Sequence, residues 1–194
     1  MRMEQRTTTL MTKKALVASL KEIMQTKPLD KISIREIVED CGVNRKTFYY
    51  HFQNIYDLVN WMFEEEAIEV VKQYNLITNY EDAIRFSMDY IEENSHVVHS
   101  ALDAVGRDEL KKFFYNNFVG TMRSIVDQLS EGMNVPNDYK EFLINFYTES
   151  FASLLIDWIR NRKDRDKEKY IKYISLTLFS TIRPDLERAN QEFN

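Results

Sequence analysis

The twenty residues from Ser33 to Phe52 constrain this chain more than any others. Ser33, three residues before Glu36, makes a capping box and fixes a helix start. Ile34, Ile37, Val38 and Cys41 then recur at i, i+3, i+4 and i+7, one apolar face of a short helix. Gly42 stands where the chain has to reverse, and glycine takes a positive φ without a Cβ penalty. Asn44 is placed to cap a second helix, with Val43 before it packing on Phe48. Wound at about 100° per residue, that helix turns Phe48 and Phe52 towards the first. Lys46, Thr47 and Tyr50 point the other way, with Tyr49 and His51 on the flanks. A short helix pinned from behind by two phenylalanines shows a cation, a hydroxyl and aromatic rings. That suits a helix entering a major groove while its rims touch phosphates. The same pattern also fits an ordinary helical hairpin with a solvated outer face.

The run Gly42-Val43-Asn44-Arg45-Lys46-Thr47-Phe48-Tyr49-Tyr50-His51-Phe52, followed by Leu58, resembles the helix-turn-helix of the TetR family of bacterial transcription regulators. The likeness is dense over Ser33 to Leu58 and weaker from Lys13; beyond Trp61 only length and helix pattern carry it. The family usually opens the next helix with a lysine, two residues before an acidic one. Here Ile55 stands there, followed by Tyr56 and Asp57, so one phosphate contact is missing. The resemblance implies an all-α fold of about nine helices. A three-helix bundle with the helix-turn-helix would occupy residues 1–54, and a larger effector-binding and dimerisation domain residues 55–194. It also implies roles. Thr47, Tyr49, Tyr50 and His51 would anchor phosphates, Arg35, Arg45 and Lys46 would face base edges, and Ser33 and Asn44 complete the DNA-binding set. Arginine and lysine favour guanine O6 and N7, so a guanine is expected in each half-site.

Composition narrows the alternatives. The chain has 194 residues, enough to bury a core without disulfides. Its one cysteine, Cys41, lies on an apolar helix face and fits a buried thiol in a reducing cytoplasm. No run of about 18 apolar residues is present, and the first residues lack an apolar signal core. Scarce glycine and proline favour helices. The net charge of −5 conceals an asymmetry: residues 1–54 carry +4 and the remainder −9. A basic head on an acidic body draws DNA to one end.

Arg2, Arg6, Lys13 and Lys14 form a basic arm, either a phosphate contact or a loose tail. A first helix is expected from about Thr9 to Gln25, with Leu16, Leu20, Ile23 and Met24 inward and Pro28 beyond it. Asn54 caps a fourth helix running to about Tyr74, a stiff join between head and body. Further helices are expected over Tyr80–Glu93, Ser95 to Gly106, Asp108–Glu131 with Gly120 marking a bend or close approach, and Asn137 or Asp138 to Arg162. The charged loop Asn161-Arg162-Lys163-Asp164-Arg165-Asp166 leads to a ninth helix ending near Ile182. Pro184 should stop it, leaving Asp185 to Asn194 as a frayed polar tail.

The last two helices carry more apolar surface than one core contact needs. Phe151, Leu155, Trp158, Ile159, Tyr170, Ile174, Thr177 and Leu178 are the candidate dimer face, with a thick intramolecular core as the alternative; the family resemblance implies that these helices pair across a two-fold axis. Dimerisation has a functional reason, because two short helices about 34–36 Å apart read both halves of a palindrome. Aromatic and methionine residues in the body suit a ligand pocket or a plain core alike, so no effector residues are assigned. His96, His99 and Asp103 make too thin a set for a metal site. No cofactor, metal, membrane or nucleophile constellation is called for, so no enzyme is expected. The reading is a cytoplasmic homodimeric regulator binding a palindromic operator, a repressor released by a small-molecule effector. The alternative is a helical protein-interaction module, or an activator that takes a protein partner.

Overall fold

The computed structural model describes residues 2–161 and 164–193, with side chains from residue 8 onward. In chain order the helices are α1 (Arg2–Met24), α2 (Ile34–Asp40), α3 (Arg45–His51), α4 (Ile55–Phe63), α5 (Glu69–Val71), α6 (Tyr80–Glu93), α7 (Ser95–Val105), α8 (Arg107–Leu129), α9 (Asn137–Asn161), α10 (Lys167–Thr177) and α11 (Ile182–Glu192). No strand occurs among the described residues. Two compact units divide the chain: Met1–Glu66 with Asn94–Gly106, and Ala67–Glu93 with Arg107–Asn194.

In the first unit, Leu16 and Leu20 of α1, Ile37 of α2, Phe48 of α3, Leu58 and Met62 of α4, and Val97 of α7 are fully buried. Five helices thus share one core, and the unit extends past residue 54 to take in α4 and α7. α7 is tied in by the Leu29 amide, which donates to Ser100 Oγ at 2.8 Å. Lys21 donates to Glu66 and, at 3.2 Å, to Asn94 Oδ1. α4 passes through a π-helical turn, Glu64–Ile68, before α5. The expected unbroken helix to Tyr74 therefore carries an extra residue in one turn and ends at Val71.

In the second unit, α8 and α9 run antiparallel. Arg123 grips Glu141, Lys111 pairs with Glu149 and Tyr115 with Asn145 along one edge. Phe118 meets Phe151 edge-on inside, with ring centroids 5.2 Å apart. A second polar seam joins α6 to α10: Lys167 Nζ reaches Asp89 at 2.5 Å and Glu92 at 2.7 Å, Arg85 pairs with Glu168, and Ser175 donates to Glu81. Glycine at 120 marks no close approach: α8 continues through it, and a Cβ there would meet nothing within 4 Å.

The C-terminus differs from the expectation. α10 ends at Thr177, a 3-10 turn spans Phe179–Thr181, and a new helix follows instead of a frayed tail. Pro184 sits in the first turn of α11, where an amide has no intrahelical partner to lose, so it opens a helix where it was expected to end one. Leu186 and Ala189 are buried, and the buried Tyr147 hydroxyl donates to Asp185. Burial and the Asp185 hydrogen bond push that phenol well above its usual value. Arg162 and Lys163 of the expected charged loop lie outside the described residues, as do the Arg2 and Arg6 side chains of the basic arm.

Candidate nucleic-acid interface

The capping box that opens α2 is complete. The Glu36 amide donates to Ser33 Oγ at 3.3 Å, and the Ser33 amide donates to Glu36 Oε2 at 2.8 Å. Lys27 Nζ lies 2.5 Å from the same carboxylate. Lys27 first, then Ser33, hold the Glu36 carboxyl down to about 2. The chain turns at Gly42, with φ of 68°. Asn44 then caps α3, its Oδ1 accepting from the Thr47 amide at 2.9 Å.

These local devices aim the recognition face. Phe48 is completely buried and Phe52 nearly so, their ring centroids 5.9 Å apart. On the opposite side Tyr50 is 81% exposed and Tyr49 49%. Asn44, Arg45 and Lys46 are exposed, as are Ser33 and Arg35 on α2, while Thr47 and His51 are half-buried. The whole predicted set therefore lies on one helix-turn-helix, with its cationic members outward.

The side chains differ in how far they are held. Arg45 lies over the Tyr49 ring at 5.6 Å and donates to the Tyr49 hydroxyl at 3.2 Å. Arg35 Nε donates to Glu39 Oε1 at 2.7 Å. Lys46 forms no ion pair among the described residues. His51 packs edge-on to Tyr50, and partial burial first, with Lys13 second, pulls its pKa below the usual imidazole value. At neutral pH His51 therefore offers an N–H donor rather than a charge.

Lys13 does not belong to a free basic arm. Its ammonium sits 5.1 Å from the Phe52 ring centroid and 4.9 Å from that of Trp61, and it braces α1 against the end of α3 and the last turn of α4. In place of the family's lysine, Ile55 opens α4. Asn54 caps that helix by accepting from the Asp57 amide at 3.0 Å, and the Gln53 amide donates back to Asp57 at 2.9 Å. Sequence reading missed the two partners Glu39 and Tyr49 supply to arginines. The signal was present, since each lies four residues after its arginine on one helix face.

The family model described as "Bacterial regulatory proteins, tetR family" matches residues 16–62, and "Transcriptional regulator C-terminal region" matches residues 78–180. The chain belongs to the TetR family of transcriptional regulators. Among curated proteins it is similar to the HTH-type dhaKLM operon transcriptional activator DhaS of Lactococcus lactis subsp. lactis, 27% identical over 85 residues. That alignment covers 44% of this chain and 46% of the relative, so under half of the relative's length is matched. Among solved structures, a dihydroxyacetone kinase operon activator DhaS superposes with a TM-score of 0.67 at 20% identity, covering 90% of this chain and 98% of that one. A TetR transcriptional regulator from Streptococcus agalactiae 2603V gives 0.60 at 20% identity, covering 92% and 99%. These two show the fold.

The candidate dimer residues fall differently from the recognition residues. Phe151, Leu155, Trp158, Ile159, Ile174 and Leu178 are all buried within the single subunit, at 0–6% exposed. Tyr170 is half-buried, stacked on Trp158 at 5.2 Å and donating to Asp157 at 3.1 Å; only Thr177 is exposed. The broad apolar stripe reflects a long helix covered on several sides by α6, α8, α10 and α11. What remains outward on these helices includes Phe146, Ser150, Ser153, Leu154, Tyr173 and Leu176, exposed or half-buried.

The body also holds a small apolar cavity of about 20 Å³ between Ala83, Ile84, Phe118, Met122, Ile125 and Phe179. That volume suits one water-sized body, against about 300–1,000 Å³ for a ligand pocket. His99 donates from Nδ1 to its own helix at the Ser95 carbonyl, 2.6 Å away. No group of three potential metal ligands occurs among the described residues, and none of their helices is long and apolar enough to cross a membrane.

Proposed function

We propose that this regulator works in the cytoplasm as a homodimer that binds a palindromic operator through α3, assisted by the start of α2. The observation that carries the reading is the two-sided α3. Phe48 and Phe52 lock its back, while Lys46, Tyr49 and Tyr50 stand in solvent beside Arg35 and Arg45. Such a face supplies both phosphate anchors and base readers. A single short helix spans too few base pairs for specificity, so a second copy is needed at about 34–36 Å. The outward edge of α9 and α10, around Phe146, Ser150, Leu154 and Tyr173, is the proposed dimer face. Ser150 and Ser153 allow close helix approach there.

For the input to the body, we favour an activator that takes a protein partner over a repressor emptied by a small ligand. One observation supports this choice: the curated relative DhaS is described as an operon activator.

Equilibrium selection from a random duplex pool tests the DNA reading. A dimeric regulator enriches a palindrome and binds with a steep negative salt slope. An interaction module that never meets DNA enriches nothing at any salt concentration.

A further inference from the structure

We propose that Glu39 is a positioning residue for sequence readout, holding Arg35 so that its two terminal amino groups meet a guanine end-on. The proposal rests on the DNA-binding reading above. The bond is made at Nε, whose hydrogen goes to Glu39 Oε1 at 2.7 Å. Arginine has five N–H donors, and engaging Nε alone leaves the four on Nη1 and Nη2 available. Those two groups match guanine O6 and N7 as a bidentate pair. Both side chains are well exposed, 79% for Arg35 and 61% for Glu39, so the pair lies on the surface and not in the core.

Helix stability does not account for a glutamate there. Glu39 is in the last turn of α2, where the helix dipole disfavours an acid and no basic residue offsets it. The arginine precedes the glutamate, the less favourable order for an i, i+4 pair. A carboxylate on a DNA-facing surface also repels phosphates. The dipole and phosphate terms oppose Glu39, and the ion pair in this order offsets them only weakly. Holding Arg35 in advance is the term that favours it, because a side chain already fixed loses less freedom on binding.

The test is selection from the random duplex pool by wild type, Arg35→Ala, Glu39→Ala and Glu39→Gln, each checked for an unchanged helical spectrum. Arg35→Ala should abolish one symmetric guanine preference. Glu39→Ala should weaken that same preference roughly tenfold, leave other positions alone, and raise affinity for unrelated duplex at low salt. Glu39→Gln keeps an oxygen acceptor for Nε without the charge, and should stay within about threefold of wild type. The proposal is overturned if Glu39→Ala keeps the preference within about twofold of wild type, or if Glu39→Gln is as impaired as Glu39→Ala, which would make the effect one of charge. If wild type enriches a site but Arg35→Ala reads it unchanged, the proposal fails while the DNA reading stands. If wild type enriches nothing, the DNA reading itself fails and takes the proposal with it.

Discussion

Lys46→Ala should move stability and DNA affinity in opposite directions. Lys46 is the second residue of α3, and the first turn of that helix holds two cations and no acid. A cation at a helix N-terminus is unfavourable by about 0.3–1 kcal/mol. Lys46 is exposed, so its removal opens no cavity and leaves Asn44 capping the helix. The free protein should gain a few tenths of a kcal/mol, raising the melting temperature by about 1–2 °C for a chain of this size. In the complex, each lost base contact should cost about 1–3 kcal/mol, and a palindrome loses two. Together that is about 2–6 kcal/mol, or roughly 30-fold to 10⁴-fold in affinity for the best site. Circular dichroism melts and titrations against selected and scrambled duplexes measure the two effects. Loss of affinity equal for both duplexes, with a shallower salt slope, would place Lys46 on phosphate and refute its assignment as a base reader. A lowered melting temperature would refute the view of α3 as locked from behind.

Further outcomes follow from named contacts. Tyr50→Ala should weaken binding to selected and scrambled duplexes alike, read by the same titrations, because an exposed ring on the rim is assigned to phosphate. Gly120→Ala should stabilise the protein by about 0.5–1 kcal/mol in denaturant melts, since the new methyl meets nothing and glycine is costly inside a helix. Tyr147→Phe removes the buried hydroxyl that ties α11 to α9, and should loosen α11 by about 1.5 kcal/mol, seen as faster amide exchange over Ile182–Glu192. Glu36, held down to about 2, contributes stability that is present above its ordinary carboxylate range and is lost as pH falls towards that value. Acid melts between about pH 5 and 2 should therefore show a steeper decline for wild type than for Glu36→Gln, whose stability at neutral pH should be lower.

The sequence was most legible where chemistry is local. Ser33 with Glu36, Gly42, Asn44 and Asn54 act over three or four residues, and each performs the capping or turning role its type and spacing announce. The two faces of α3 were equally plain, because a seven-residue helix with Phe48 and Phe52 on one side has only one way to lie. The body was harder to read. Trp158, Ile159 and Leu155 form an apolar stripe whether a neighbour helix or a second subunit covers it, and periodicity does not distinguish the two. Pro184 misled for a related reason, since proline opens a helix as readily as it ends one, and only the burial of Leu186 and Ala189 decides. Glu39 was overlooked and Lys13 was read as part of a basic arm because their importance lies in a partner side chain, Arg35 in one case and the Phe52 and Trp61 rings in the other.

The central claim is that two outward-facing copies of α3 enter successive major grooves of one duplex. A spin label at Gln53→Cys, next to the end of α3, in a Cys41→Ser background, measures their separation in the DNA complex directly. The account predicts a single distance near one helical turn, about 34–36 Å between equivalent recognition-helix positions. No measurable pair on bound DNA, or a distance that no whole number of turns matches, would contradict it.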